Sequence, residues 1–308
     1  MSTGLLDDTS PLVELYEFKP RPYAIPGYII RDTLSKCSAH SMTTARGLYG
    51  VMLRCRNNYL EIRVGDKELL LNFDEVSNIR DNFVYTILND DNPVLYPIEI
   101  RRRNAYMRLH FTRDLDAPTL IVNGVHMHRI SSDIGPLRDA KYKVRAARVR
   151  QGHIVFDVCT GLGYTTIASL HHGAERVYTV EVSREVLAMA QLNPWSAKLA
   201  NSRVKIILAD ASKLVERLPD NTFDRIIHDP PRFSMAGELY SRDFYRELFR
   251  ILRPGGILFH YTGEPLRSRG HGHGPIVRGV AQRLQHVGFV RVRYDERAQG
   301  VVAVKPRE

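Results

Sequence analysis

Four acids stand where apolar runs end, and their spacing suggests a nucleoside-binding crevice. Asp157-Val158-Cys159-Thr160-Gly161-Leu162-Gly163-Tyr164 closes the run that begins at Ile154 and leads into a helical stretch. Gly161 and Gly163 let the backbone turn tightly and approach a ligand, although such a pair alone equally describes a bare strand–helix turn. Glu181 ends the next run, 24 residues after Asp157, where a carboxylate can accept both hydroxyls of a ribose. Asp210, followed by Ala211, ends a third run and could bond an adenine amino group. Asp229 ends a fourth and opens Asp229-Pro230-Pro231-Arg232-Phe233. Two prolines stiffen that loop and remove two backbone donors, leaving carbonyl oxygens and a carboxylate as acceptors. A loop of that kind can grip an amino group and orient its lone pair. The full GxGxxG is missing, and an acid at the head of the turn repels a pyrophosphate but suits a cationic cofactor. His260 ends a fifth run. It reads either as a general base, since its charge changes near neutral pH, or as a packed, buried histidine. Cys159 reads as a small packed residue.

These residues need a sheet whose strand ends converge. The spacing predicts strands over 154–158, 176–181, 204–208, 223–228 and 257–261, alternating with helices over 163–173, 184–192, 213–217, 241–252 and 276–286. Ser183 reads as an N-cap, and Pro254-Gly255-Gly256 as a helix stop. Runs near 289–294 and 300–304 read as an antiparallel hairpin at one edge. Alternation of this kind predicts an α/β, doubly wound parallel sheet. The first half has a different rhythm. Residues 1–30 are proline-rich and extended, 28–47 carry a weak helical pattern, and alternating runs at 50–55, 59–64 and 68–71 suggest a hairpin turn at Gly65-Asp66. Further strands are expected over 94–100 and 106–111, and as a pair around Asn123-Gly124. Three parts follow: a β-rich substrate-recognition domain (1–115), a basic connecting segment (116–150) and the cofactor domain (151–308).

Composition limits the partners. Of 308 residues, 44 are Lys or Arg and 34 Asp or Glu, a net charge of +10. Residues 101–150 hold 12 of the basic and 4 of the acidic residues, which points to an anionic partner, RNA before others, unless the charge is only a solvated surface. Lys141, Lys143, Arg145, Arg148 and Arg150 would form a basic helix face. The loop 267–274 is basic and rich in glycine and histidine. No apolar run approaches the ~18 residues of a membrane span, and the start has no signal-peptide pattern. Three cysteines (Cys37, Cys55, Cys159) make no disulfide framework and no zinc spacing, so a reducing, cytoplasmic setting is expected and no metal.

The order of elements and motifs over 140–308 resembles the class I S-adenosylmethionine-dependent methyltransferases. That resemblance implies a Rossmann-like sheet of order 3-2-1-4-5-7-6 and S-adenosylmethionine as cofactor. It implies a cofactor site of Asp157, Thr160, Gly161, Gly163, Tyr164, Glu181, Val182, Asp210, Ala211 and Asp229, with the segment before the first strand covering it. The Asp229 loop resembles the (Asp/Asn)-Pro-Pro-(aromatic) loop of amino-methyltransferases, and implies that Asp229, Pro230, Pro231, Arg232 and Phe233 handle the acceptor, with His260 beside them. It departs from that pattern: Arg232 stands where the aromatic stands and Phe233 comes one later, leaving the acceptor atom open. It is also similar to loops of ribosomal-RNA methyltransferases that modify carbon, but their nearby cysteine nucleophile is missing. Together with Asn193-Pro194-Trp195-Ser196 and Phe259-His260-Tyr261-Thr262-Gly263, the motifs resemble a group of predicted archaeal methyltransferases. The expected function is methylation of an amino nitrogen in RNA. The alternatives are an aminopropyltransferase of the polyamine-synthase type and a non-catalytic RNA-binding protein with a relic cofactor site.

Overall fold

The computed structural model describes residues 13–21, 23–37, 44–46, 51–64, 67–88, 94–103, 105–263 and 274–307. The chain divides into two compact units. One comprises Met1–Phe18, Leu137–Leu187 and Lys198–Glu308; the other comprises Lys19–Pro136 and Ala188–Ala197. The turn expected at Gly65-Asp66 and the basic loop over 267–273 lie outside the described residues.

The first unit is built on an eight-stranded sheet. Its elements are β1 (Glu14–Leu15), α1 (Pro136–Ala146), β2 (Ile154–Val158), α2 (Tyr164–His171), β3 (Arg176–Glu181), α3 (Arg184–Gln191), β4 (Val204–Leu208), α4 (Ala211–Val215), β5 (Phe223–His228), α5 (Arg242–Ile251), β6 (Leu252–Tyr261), α6 (Pro275–Val287), β7 (Val290–Asp295) and β8 (Gly300–Val304). The strand order is β1-β4-β3-β2-β5-β6-β8-β7. Strands β4, β3, β2, β5 and β6 are parallel, and β8 and β7 run antiparallel at one edge. This is the doubly wound order expected for the class I methyltransferase fold, with β1 added antiparallel beside β4. The central strands are apolar without alternation because helices cover both faces: Val155, Phe156, Val158, Val177, Val180, Ile226 and Ile227 are all buried.

Local chemistry sets the element ends. The Ser183 hydroxyl accepts from the Val186 N–H at 3.2 Å, and the Ser241 hydroxyl accepts from Phe244 N–H at 3.1 Å, each capping a helix. Helix α4 starts at Ala211, two residues earlier than the pattern suggests, because Asp210 caps it. The helix stop expected at Pro254-Gly255-Gly256 is corrected: α5 already ends at Ile251, where Leu252 turns extended, and β6 begins at Leu252 and runs through the motif. Gly255 makes this possible: at φ 76° its N–H reaches Lys305 O at 3.0 Å, so the kinked segment stays on the β8 side of the sheet.

Among its described residues the second unit holds three antiparallel sheets: Thr44–Arg46, Val51–Arg56, Tyr59–Val64 and Lys67–Asn72; Ile25–Pro26, Val84–Leu88 and Val94–Pro97; and Glu99–Arg102, Ala105–His110, Thr119–Val122 and Val125–His126. Period-2 patterning decides what is buried. Val51, Leu53 and Cys55 face a core with Leu60, Ile62, Leu69 and Leu71, while Met52 and Leu70 are exposed. The weak helical pattern resolves to one helix, Gly27–Ser35. The cysteine expectation is corrected here: Cys37 and Cys55 form a disulfide with Cα atoms 5.8 Å apart. Their separation of 18 residues carries no pairing signal; only the packing of the helix end on the strand brings them together.

Candidate active site

The acids at the strand ends belong to adjacent strands. Asp157 pairs in register with Thr179 and Ile227, and Glu181 with Leu208, so the ends of β2, β3, β4 and β5 lie side by side at the carboxyl edge, where open α/β sheets bind ligands.

Asp157 is fully buried. Its Oδ2 accepts from Thr165 Oγ1 at 2.9 Å, Thr166 Oγ1 at 2.5 Å and Thr179 Oγ1 at 3.3 Å. Its Oδ1 has no hydrogen-bond partner among the described residues. Burial lifts its carboxyl to about 7 against the pull of the threonine hydroxyls, with the Asp229 charge raising it further. The turn beyond it is left-handed at Cys159, Gly161 and Gly163 (φ 71°, 54° and 77°). A Cβ on Gly161 would meet open space, whereas one on Gly163 would lie 2.5 Å from Leu199 Cδ1. Gly163→Ala is therefore expected to destabilise the protein by about 3 kcal/mol, backbone strain and overpacking together; urea unfolding checks it. Thr160, which hydrogen-bonds Thr179 at 2.7 Å, and Tyr164 are buried beneath the turn and hold its shape.

Glu181 is nearly buried and tied to three backbone donors: Gly161 N–H at 3.0 Å to Oε2, and Val182 N–H and Ser183 N–H at 3.0 and 3.1 Å to Oε1. Burial raises its pKa and these donors oppose the rise. The carboxylate thus splints the glycine turn to the end of β3, with one lone pair remaining on Oε2. Val182 beside it is 71% exposed. Asp210 has a second task that the pattern did not show: its Oδ1 accepts from Ser212 N–H at 2.9 Å and Ser212 Oγ at 2.7 Å as the α4 cap, with Ala211 buried behind it.

Asp229 follows β5, and its N–H reaches Val158 O at 3.3 Å. Pro230 is buried, and Pro231 O accepts from Tyr240 Oη at 2.8 Å, which takes one of the carbonyls the loop was expected to offer. Phe233 packs edge-on against Tyr240, ring centroids 5.3 Å apart, yet stays half exposed beside the exposed Arg232. His260 is fully buried, stacked on His228 at 4.3 Å and packed against Tyr240 and Tyr245. Burial pushes its pKa well below the usual value, so it is held neutral inside the core. Cys159 is a free thiol whose pKa burial pushes well up.

One site residue escaped the sequence reading. Lys143 was grouped with a basic helix face, but its side chain is only 2% exposed. Its ammonium donates to Asp139 Oδ2 at 2.7 Å and to both carboxylate oxygens of Asp229, at 2.8 and 2.7 Å. The signal was present in the Asp139/Lys143 i,i+4 spacing beside the apolar Ala140, Val144 and Ala147. Asp229, with its side chain 19% exposed, is raised by burial and lowered by Lys143. Among the described residues, no group of three or more His, Cys, Asp and Glu could hold a metal, and no helix is long and apolar enough to cross a membrane.

Residues 155–256 match the family model described as "Methyltransferase domain". An uncharacterized protein of Methanocaldococcus jannaschii is 49% identical over 192 residues, 62% of this chain and 65% of that protein. The ribosomal RNA large subunit methyltransferase I of Cronobacter sakazakii is 28% identical over 133 residues, 41% of this chain and 33% of that one. The chain thus spans less than two thirds of the length of these relatives. Spermidine synthase from Thermotoga maritima superposes with a TM-score of 0.53 at 17% identity, over 71% of this chain and 77% of that one, a likeness of fold alone.

Proposed function

On the premise that the chain carries a class I methyltransferase domain whose cofactor is S-adenosylmethionine, we propose that it methylates an amino nitrogen in RNA. The observation that carries this reading is the placement of the Asp229-Pro230-Pro231 loop one strand from the glycine turn of Asp157, both at the carboxyl edge of the sheet. The residues fit a cationic nucleoside. Asp157 Oδ1 is a buried acceptor without a hydrogen-bond partner among the described residues, and Gly161 is backed by open space. When bound, S-adenosylmethionine supplies an electrophilic methyl group on a sulfonium. The chain contributes position and charge. Glu181 Oε2 offers its remaining lone pair to a ribose hydroxyl, Asp210 Oδ2 stands at the adenine end, and Asp157 faces positive charge. Asp229 and the Pro230 carbonyl orient an acceptor N–H so that its lone pair meets the methyl carbon. With the cofactor bound, the nitrogen would take up its methyl group, leaving a neutral thioether, and would shed one proton to solvent. Holding two reactants in line can lower the barrier by ~7–11 kcal/mol in favourable cases.

The second unit supports an RNA substrate. Arg101, Arg102 and Arg103 are exposed, and the Arg101 guanidinium lies 5.1 Å from the half-buried Tyr106 ring. Guanidinium and aromatic planes of this kind receive phosphates and unstacked bases. A cytoplasmic setting belongs to this reading, and one disulfide does not oppose it, since intracellular proteins of hyperthermophilic archaea carry them.

The deciding experiment is transfer of radiolabelled methyl from S-adenosylmethionine into cell extract. Label lost to ribonuclease supports the reading; label lost only to protease overturns the RNA assignment. A second expectation concerns pH. A carboxyl raised from 3.8 to about 7 keeps its proton in the folded state while the unfolded chain has lost it. Stability of the ligand-free protein therefore falls as pH rises from about 4 to about 7. A bound cation favours the ionised acid, so cofactor affinity rises over pH 5–7, by at most about tenfold per unit, with proton release. Calorimetry in buffers of different ionisation enthalpy reads both.

A further inference from the structure

Two carboxylates and an aromatic face are the components of a binding site for an alkylammonium ion. Asp139, Asp229 and Tyr261 form such a set, and the chain fills it with its own side chain. The Lys143 ammonium contacts both acids at 2.7–2.8 Å and lies 4.0 Å from the Tyr261 ring centroid. We propose that Lys143 is a built-in occupant of an ammonium site, and that it restricts the acceptor at the Asp229 loop to uncharged amino groups, excluding polyamines and other alkylammonium ions. This inference rests on reading that loop as the acceptor site.

The reason is electrostatic. The negative charge of Asp229 is already matched by Lys143, which grips both of its oxygens. A second cation drawn to the same carboxylate would face the lysine ammonium a few ångströms away. At the effective dielectric of a protein site, a like charge at that distance weakens binding about 10²-fold. A neutral amino group meets no such repulsion. Its N–H can use the lone pairs of Asp229 that face away from Lys143, on a side chain that keeps some exposure. The groups facing Lys143 are Asp139 on its own helix, Asp229 after β5 and Tyr261 at the end of β6, and Asp157 bears on Asp229 from β2. An exocyclic amino group of a nucleobase is uncharged at neutral pH; putrescine and spermidine are not. The fold likeness to a spermidine synthase therefore does not extend to the charge this pocket can accept.

Titration calorimetry with putrescine tests the proposal on the full-length protein. The wild type is expected to show no binding at Asp229, and Lys143→Ala to gain putrescine affinity by about 10²-fold. The gain should vanish in Lys143→Ala/Asp229→Asn. Wild-type putrescine binding that Asp229→Asn abolishes overturns the proposal, and so does a Lys143→Ala protein that gains nothing. If Lys143→Ala melts too early for titration, n-propylammonium, which reproduces the atoms lost beyond Cβ, is added during thermal melting. A raised melting temperature that requires Asp229 supports the site, and no rise overturns it. Cofactor titration in parallel reports an intact domain. Putrescine exclusion as expected, combined with no methyl transfer to RNA, supports the ammonium site and overturns the RNA reading alone.

Discussion

Asp229→Asn is expected to lower methyl transfer by at least about 10²-fold, the scale of losing one preorganised polar group at a reacting centre, while cofactor affinity changes by less than about threefold. The amide keeps the shape of the carboxylate, and the loop stays braced by Pro230, Pro231 and the Tyr240–Pro231 hydrogen bond. What is lost is the charge that orients an acceptor N–H and balances Lys143. Turnover measured beside cofactor titration reads the two effects separately. A protein that only binds RNA would show neither change, and unchanged turnover would remove Asp229 from the acceptor site.

Lys143→Met carries the largest expected effect on stability. Removing the cation leaves Asp139 and Asp229 facing each other in a buried site. Breaking a buried ion pair from one side typically costs about 3–5 kcal/mol, a fall in melting temperature on the order of 10 °C for a domain of this size. The sign of its pH dependence follows from the acids. Without the lysine, burial holds the carboxyl pKa of Asp229 further above its unfolded value, so the variant prefers the protonated form. Its deficit against the wild type therefore grows as pH rises through the carboxylate range and shrinks as pH falls. Thermal melts at pH 5 and pH 8 check this; equal deficits at both would mean that Lys143 acts by packing alone.

The central sheet was legible because its cause is local. Each parallel strand of the first unit carries a short apolar run bounded by a turn or a cap, and βα alternation permits few topologies; the exposed β1 (Glu14–Leu15) had no such run and went unseen. The glycine turn and the acids at Asp157, Glu181 and Asp229 were legible for the same reason: each lies at or beside the end of an apolar run, which is a position along the chain. The second unit was read only as strands. Val84–Leu88 went unseen, and how eleven short strands sort into three sheets depends on pairings that no local pattern encodes.

The sequence by itself determined the fold class, the edge of the sheet where the acids gather and a basic balance of charge, since all three follow from residue type and periodicity. Only the tertiary structure decided which charged groups meet. Lys143 and Asp229 are 86 residues apart, and nothing in either neighbourhood names the other. The same holds for Cys37 with Cys55, and for His260, whose place at a strand end suggested a base but whose ring is stacked on His228 inside the core. A buried charge or thiol takes its character from what the packed fold places within a few ångströms of it, and that proximity is a property of the folded chain.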